Sequence, residues 1–219
     1  HSFPTPRSSD LIEIQESLLY DRVSDDWGID QYTIMRNMFT IGLYVGSTDL
    51  IHMTSGTDLA MYMRSAFHQY ENIDVPNRPE RAETFGDAFR AARSEDMDYF
   101  VIVDFIESER HFAAKMRLYG ASTGALFETF NVLRTGNNRV TDSLSLLSDE
   151  IHALLPRLGT IIDREFDTAL VDLGRVDGVA ADDSLLIVKA DELELSTESV
   201  GFRYENEDVI GEFTVDRTD

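Results

Sequence analysis

Gly120-Ala-Ser-Thr-Gly124 fits G-x-S-x-G, the pattern that in a nucleophile elbow lifts a serine above a parallel sheet. Ser122 would then be the nucleophile of a serine hydrolase. An elbow needs a strand before it and a helix after it, and here both flanks read as strands. A hairpin turn accounts for the same glycines and small residues. His52, His68, His111 and His152 are scattered, with no H-x-x-x-H or H-E-x-x-H spacing, so the signature of a zinc site is missing and structural or surface roles explain them. Asp104, Glu107, Glu109 and His111 fall around one expected hairpin and offer oxygens that a hard cation would accept. No calcium-loop pattern accompanies them, and charges on a solvated turn explain them as well. Asp177, Asp182 and Asp183 invite the same idea, but D-x-[DN]-x-[DN]-G is not met and Asp177-Gly178 is a turn signal first. Neither G-x-x-x-x-G-K-[ST] nor G-x-G-x-x-G occurs, so nucleotide phosphates have no recognisable cradle. The sequence therefore assigns no catalytic, cofactor-binding or metal-binding residue, and implies no cofactor.

Composition narrows the class further. The chain has 219 residues, 42% of them apolar, enough for one large or two small domains. With no cysteine, disulfides, thiolate metal sites and cysteine nucleophiles are excluded. The formal net charge of −22 would repel a duplex or an anionic membrane surface, so nucleic acid is not an expected partner. Lys115 and Lys189 are the only lysines, and Asp outnumbers Glu. A salt-adapted acidic surface and the codon bias of a GC-rich genome explain this equally. No stretch approaches the roughly 20 apolar residues of a membrane-spanning helix. The first nine residues are polar and Pro-containing and the chain does not begin with Met, so it reads as an excised or processed piece.

The elements that would position these residues are clearest between Asp98 and Leu158. Tyr99-Phe-Val-Ile-Val-Asp-Phe105 reads as a buried strand. His111 to Tyr119 alternates strictly, with Phe112, Ala114, Met116 and Leu118 on one face. Ala125 to Leu133 is a third strand. Val140, Leu144, Leu147, Ile151 and Leu154 then recur at helical spacing and need a sheet to cover. Upstream, Thr40 to Val45 reads as a strand, and Thr57 or Asp58 can cap a helix over Leu59, Met63, Ala66, Phe67 and Tyr70. Asn72 to Val75 is a short strand ended by Pro76 and Pro79. Thr84 can cap a helix lined by Phe85, Ala88, Phe89 and Ala92. Leu11 to Tyr20 permits a short helix or a strand. Asp25 to Asp30 reads as a loop, in which Trp27 is a packing anchor.

Pro156 and Gly159 end the last helix and mark a boundary. Residues 160–219 hold 17 acidic and 5 basic residues, a net −12 of the total −22. Residues 167–173, 184–188 and 209–215 read as strands, punctuated by Gly174, Gly178, Gly201 and Gly211. The expected fold class is α/β (α+β): a mixed sheet with helices packed on it, plus a small C-terminal β-barrel or sandwich. The expected divisions are an N-terminal extension over 1–39, partly disordered, an α/β domain over 40–158, and an acidic β-domain over 160–219.

The order from residue 40 resembles a fold shared by bacterial envelope proteins. These are the amino-terminal domain of the Tol system's β-propeller protein, the curli secretion lipoprotein, and lipoprotein activators of peptidoglycan synthases. The matching pieces are Ile41 to Val45, Thr57 to Met63, Asn72 to Val75 and Ala91 to Val103; in the last, Met97-Asp98-Tyr99 stands where that family often has Ala-Asp-Tyr. Val171 to Val179 through Ile210 to Val215 resembles the small barrel at the carboxyl end of a flagellar H-ring accessory protein. The resemblance implies a non-enzymatic adaptor or scaffold in the periplasm or at the outer membrane, docking on protein partners in flagellar, secretion or cell-wall synthesis machinery. The acidic tail domain would favour a basic partner, and an oligomer fits the same reading. The alternatives are a serine hydrolase using Ser122 and a ligand- or glycan-sensing envelope domain.

Overall fold

The computed structural model describes residues 23–28, 38–52, 55–76 and 78–218. The segment from Leu11 to Tyr20, expected as helix or strand, lies outside the described residues. One helical turn, α1 (Val23–Asp26), occupies the start of the expected loop, and Trp27 after it is half-buried.

Contacts divide the chain into two units. The larger comprises residues 38–156 with 189–208. Its frame is β1 (Phe39–Asp49), α2 (Gly56–Phe67), β2 (Ile73–Asp74), β3 (Glu80–Arg81), α3 (Phe85–Ser94), β4 (Tyr99–Glu107), β5 (His111–Gly120), β6 (Leu126–Thr135) and α4 (Arg139–Leu154). The six-stranded sheet runs β2-β1-β4-β5-β6, with β3 also on β1. β1 is parallel to β2, β3 and β4, while β4, β5 and β6 form an antiparallel meander. Parallel neighbours need crossovers and antiparallel ones need only turns, which is why helices interrupt the first half and not the second.

Side-chain alternation builds two layers on this sheet. Ile41, Leu43 and Val45 of β1, Tyr99, Val101, Val103 and Phe105 of β4, and Phe112, Ala114, Met116 and Leu118 of β5 share one core. α2 closes it with Leu59, Met63 and Phe67, and α4 with Leu144, Leu147 and Ile151. The opposite core is smaller: Tyr44, Phe100, Ile102 and Tyr119 lie under Ala88 and Ala92 of α3. β1 and β4 are covered on both faces, so they read as nearly continuous apolar runs, whereas β5 alternates.

The start of the parallel pair is locked by a side chain. Asp98 accepts from the Thr40 N–H at 2.7 Å and the Thr40 hydroxyl at 2.9 Å, and the Asp98 N–H donates back to that hydroxyl at 3.0 Å. α2 is capped by Ser55 rather than by Thr57 or Asp58; its Oγ accepts from the Thr57 N–H at 3.1 Å. Thr84 caps α3 as expected, in a reciprocal box with Asp87. The Thr84 hydroxyl, above all, holds the Asp87 carboxyl below its ordinary value, with Arg90 adding to the effect. A carboxyl depressed on folding stabilises the fold above its unfolded pKa, and that contribution is lost as pH falls through the folded value. Thr84→Ala is expected to cost about 1 kcal/mol of stability. An NMR pH titration should also show Asp87 moving up towards an ordinary carboxylate; an unmoved Asp87 would mean the box is not formed.

Residues 189–208 lie within the acidic stretch but pack on the larger unit. β10 (Glu194–Leu195) and β11 (Phe202–Arg203) pair there. Leu195, Val200 and Phe202 lie against the main core, and the Phe202 ring is 5.8 Å from that of Phe39. Apolar side chains on a charged segment thus find burial far away in sequence. The smaller unit holds two antiparallel pairs, β7 (Ile161–Glu165) with β8 (Thr168–Val171) and β9 (Ser184–Val188) with β12 (Val209–Thr214). Among the described residues Leu170 and Val179 are its buried apolar residues, and the Asp172 carboxylate accepts from the Thr160 N–H. β7 is a strand that the sequence reading does not include.

Candidate interaction surface

Among the described residues β6 is the margin of the six-stranded sheet: it pairs there with β5 and with no further strand. α4 packs against its inner face, where Val132 is buried. Leu126 and Leu133 remain exposed. In a strand, successive residues turn their backbone N–H and C=O groups to alternate edges. The Thr129 N–H donates at 2.9 Å to the Glu128 carboxylate and is not spent on β5, and the Leu133 carbonyl, at a position of the same parity, accepts from Arg134 at 3.2 Å. Thr129, Asn131 and Leu133 therefore turn their backbone groups outward. Two charged side chains of the same strand shield this row, a common way of keeping an edge from indiscriminate pairing. Such side chains are long and can swing aside, which leaves the row able to receive a partner strand.

The α3-side face of the sheet carries a second organised polar group, besides Asp98 with Thr40. Asp104 accepts from the Ser47 N–H at 2.7 Å and the Ser47 hydroxyl at 3.0 Å through one oxygen, and from Arg117 at 2.6 Å through the other. A Cβ on Gly46 would sit 2.3 Å from that carboxylate, so the close approach needs glycine. The opposite face carries Glu107. Its carboxylate is almost wholly buried; the His52 N–H donates to one oxygen at 3.0 Å, and the His52 ring and Arg139 lie 3.3 and 3.5 Å from the other. This cluster ties the chain after β1 and the first turn of α4 to the end of β4.

The residues singled out by type are dispersed by the fold. Asp104 and Glu107 lie on opposite faces, Glu109 is exposed in the turn, and the His111 ring pairs with the Ser108 hydroxyl at 2.6 Å. Among the described residues no group of three or more His, Asp or Glu is placed to hold a metal ion. Ser122 lies exposed in the β5–β6 hairpin turn, where Gly124 takes φ +72°. The flanks are strand and strand, so this G-x-S-x-G is not an elbow. Its turn lies at the Tyr99 end of β4, while His52 and His111 lie at the Glu107 end. His68 is exposed at the C-cap of α2. His152 stacks on Tyr70 with ring centroids 4.1 Å apart. Burial, aided by a hydrogen bond to Asp149, pushes the Tyr70 hydroxyl up to about 12. In the smaller unit Asp177 accepts from the Gly174 N–H and Asp183 from the Ala180 N–H, so both close turns.

Two features escaped the sequence reading. One is the Glu107 cluster, whose members come from three distant segments. The other is Phe166, which is 96% exposed at the tip of the β7–β8 hairpin. A bulky residue between Glu165 and Asp167 was the available signal.

Comparison with known proteins gives three findings. A family model described as the TPASS_0648 family, second domain, matches residues 38–153, more than half of the 219 residues. No curated protein matches the chain. Among solved structures, the PelC dodecamer from Paraburkholderia phytofirmans is similar at 14% identity, covering 52% of this chain and 84% of that one, with a TM-score of 0.41. TolB from Acinetobacter baumannii is similar at 15% identity over 53% of this chain and 28% of that one, TM-score 0.38. The LpoB C-terminal domain from Escherichia coli is similar at 11% identity over 52% and 93%, TM-score 0.32.

Proposed function

We propose that this chain, which belongs to the TPASS_0648 family through that family's second domain, is a non-catalytic adaptor of the bacterial cell envelope. It docks on protein partners in a flagellar, secretion or cell-wall synthesis assembly. The observation that carries the reading is the outward backbone row of β6, a ready template for strand addition. The net charge of −22 favours a partner with a basic surface and speeds its approach. The periplasmic or outer-membrane setting is supported by the order of strands and helices from residue 39 to 154, the order on which the envelope resemblance rests.

Asn131→Pro tests the edge. Proline removes an outward N–H and leaves the β5 pairing in place, so stability should change by no more than about 1 kcal/mol. The chain serves as bait in source cells after chemical crosslinking, as wild type and as the variant. Recovery of envelope-assembly components by the wild type, reduced at least about tenfold by Asn131→Pro, is expected, since backbone pairing supplies the affinity in this mode. Equal recovery by both, or recovery by neither, would overturn the edge-docking reading.

A further inference from the structure

The β7–β8 hairpin is short and its two-residue turn is Phe166-Asp167, between the paired residues Glu165 and Thr168. Phe166 takes φ +51°. That region belongs to glycine, asparagine and aspartate; for a bulky side chain it is an outlier. The other described non-glycine residues at positive φ are Asp96 and Asp182, both of the tolerant kind. The turn is held rather than loose: the Thr168 hydroxyl donates to the Glu165 carbonyl at 2.9 Å and Arg164 reaches the Phe166 carbonyl at 3.4 Å. The ring gains nothing from this placement, because it is 96% exposed. Position 166 thus combines backbone strain with an unburied aromatic, two costs that glycine or asparagine would remove together.

The geometry points to Phe166 as an anchor that inserts into an apolar pocket of a protein partner. A rigid two-torsion ring loses little entropy on insertion, and aromatic residues supply much of the binding energy at interface centres. The surroundings specify the rim. Asp163, Glu165 and Asp167, its near neighbours in the chain, are exposed, and the guanidinium of Arg164 is turned to the turn's own carbonyl. A pocket bordered by lysine or arginine complements that tip, whereas an anionic lipid surface is repelled by it. The proposal deepens the adaptor reading and rests on it for the existence of a partner, but it uses a different surface from β6.

The test uses the intact chain with benzoylphenylalanine in place of Phe166, and separately in place of Tyr62, an exposed aromatic on α2. After irradiation in source cells, one dominant protein adduct specific to position 166 is expected, crosslinked within an apolar site flanked by basic residues. With that protein purified, Phe166→Asn should weaken binding on the order of 30-fold and binding should fall with added salt. The same variant should not lower the thermal midpoint, since asparagine suits the backbone better. Adducts indistinguishable from those at Tyr62, adducts chiefly to lipid, or full-strength binding by Phe166→Asn would each overturn the anchor. Flotation of wild type, but not Phe166→Asn, with phosphatidylglycerol vesicles would also overturn it. A chain that recovers partners through β6 while yielding no adduct at 166 sinks this proposal alone.

Discussion

Phe105→Ala is expected to lower the unfolding free energy by about 3–5 kcal/mol, whereas Ile106→Ala should lower it by only about 1 kcal/mol. The two residues are neighbours on β4 and differ in face. Phe105 is fully buried, 6.0 Å ring to ring from Phe112, and lies close beneath Gly56 at the start of α2. Truncation there leaves a cavity between the sheet and the helix that a close-packed core cannot refill. Ile106 is half exposed on the other face, beyond the core that α3 covers. Denaturant titration should show the midpoint falling for Phe105→Ala with little change in slope. Comparable losses for both variants would mean that the β4 register is not the one described.

The second large effect is expected at Glu107. Glu107→Ala should cost about 3–5 kcal/mol, because it leaves Arg139 facing a buried site without its carboxylate. Removing both charges is a different experiment. Glu107→Leu combined with Arg139→Met should recover most of the loss, since the desolvation of both ions disappears along with their attraction. A double-mutant cycle reads the coupling directly, and strictly additive losses would show that the two groups do not act as a pair.

These variants mark how far residue order carries the structure. The β4–β6 meander and α4 were legible because their burial follows strict periods: every second residue from Phe112 to Leu118, then every third or fourth from Leu144 to Ile151. The same period of two separates Asp104 from Glu107, three positions apart, onto opposite faces, which argues against a shared cation. β7 was not legible because Ile161-Ile162 is followed at once by Asp163-Arg164-Glu165, and its turn carries no glycine or asparagine. The union of His52, Glu107 and Arg139 was beyond reach too: no local rule relates residues that only sheet pairing and helix docking bring together. The backbone row on β6 lies in between. Its strand is readable, but its place at the margin depends on which strands pair.

The excursion from Lys189 to Asp208 changes what counts as a separable piece of this chain. The family-matched span ends at residue 153, yet Phe39 and Tyr99 of its first and central strands are met by Phe202 and Gly201, some fifty positions later. A clone that stops at the helix end would carry every strand of the main sheet and still lack part of its own wall. The excursion is likewise inserted between β9 and β12, which pair with each other on either side of it. Neither unit can therefore be released by a single cut in the gene, and shuffling this domain into another protein would require its distant patch to travel with it.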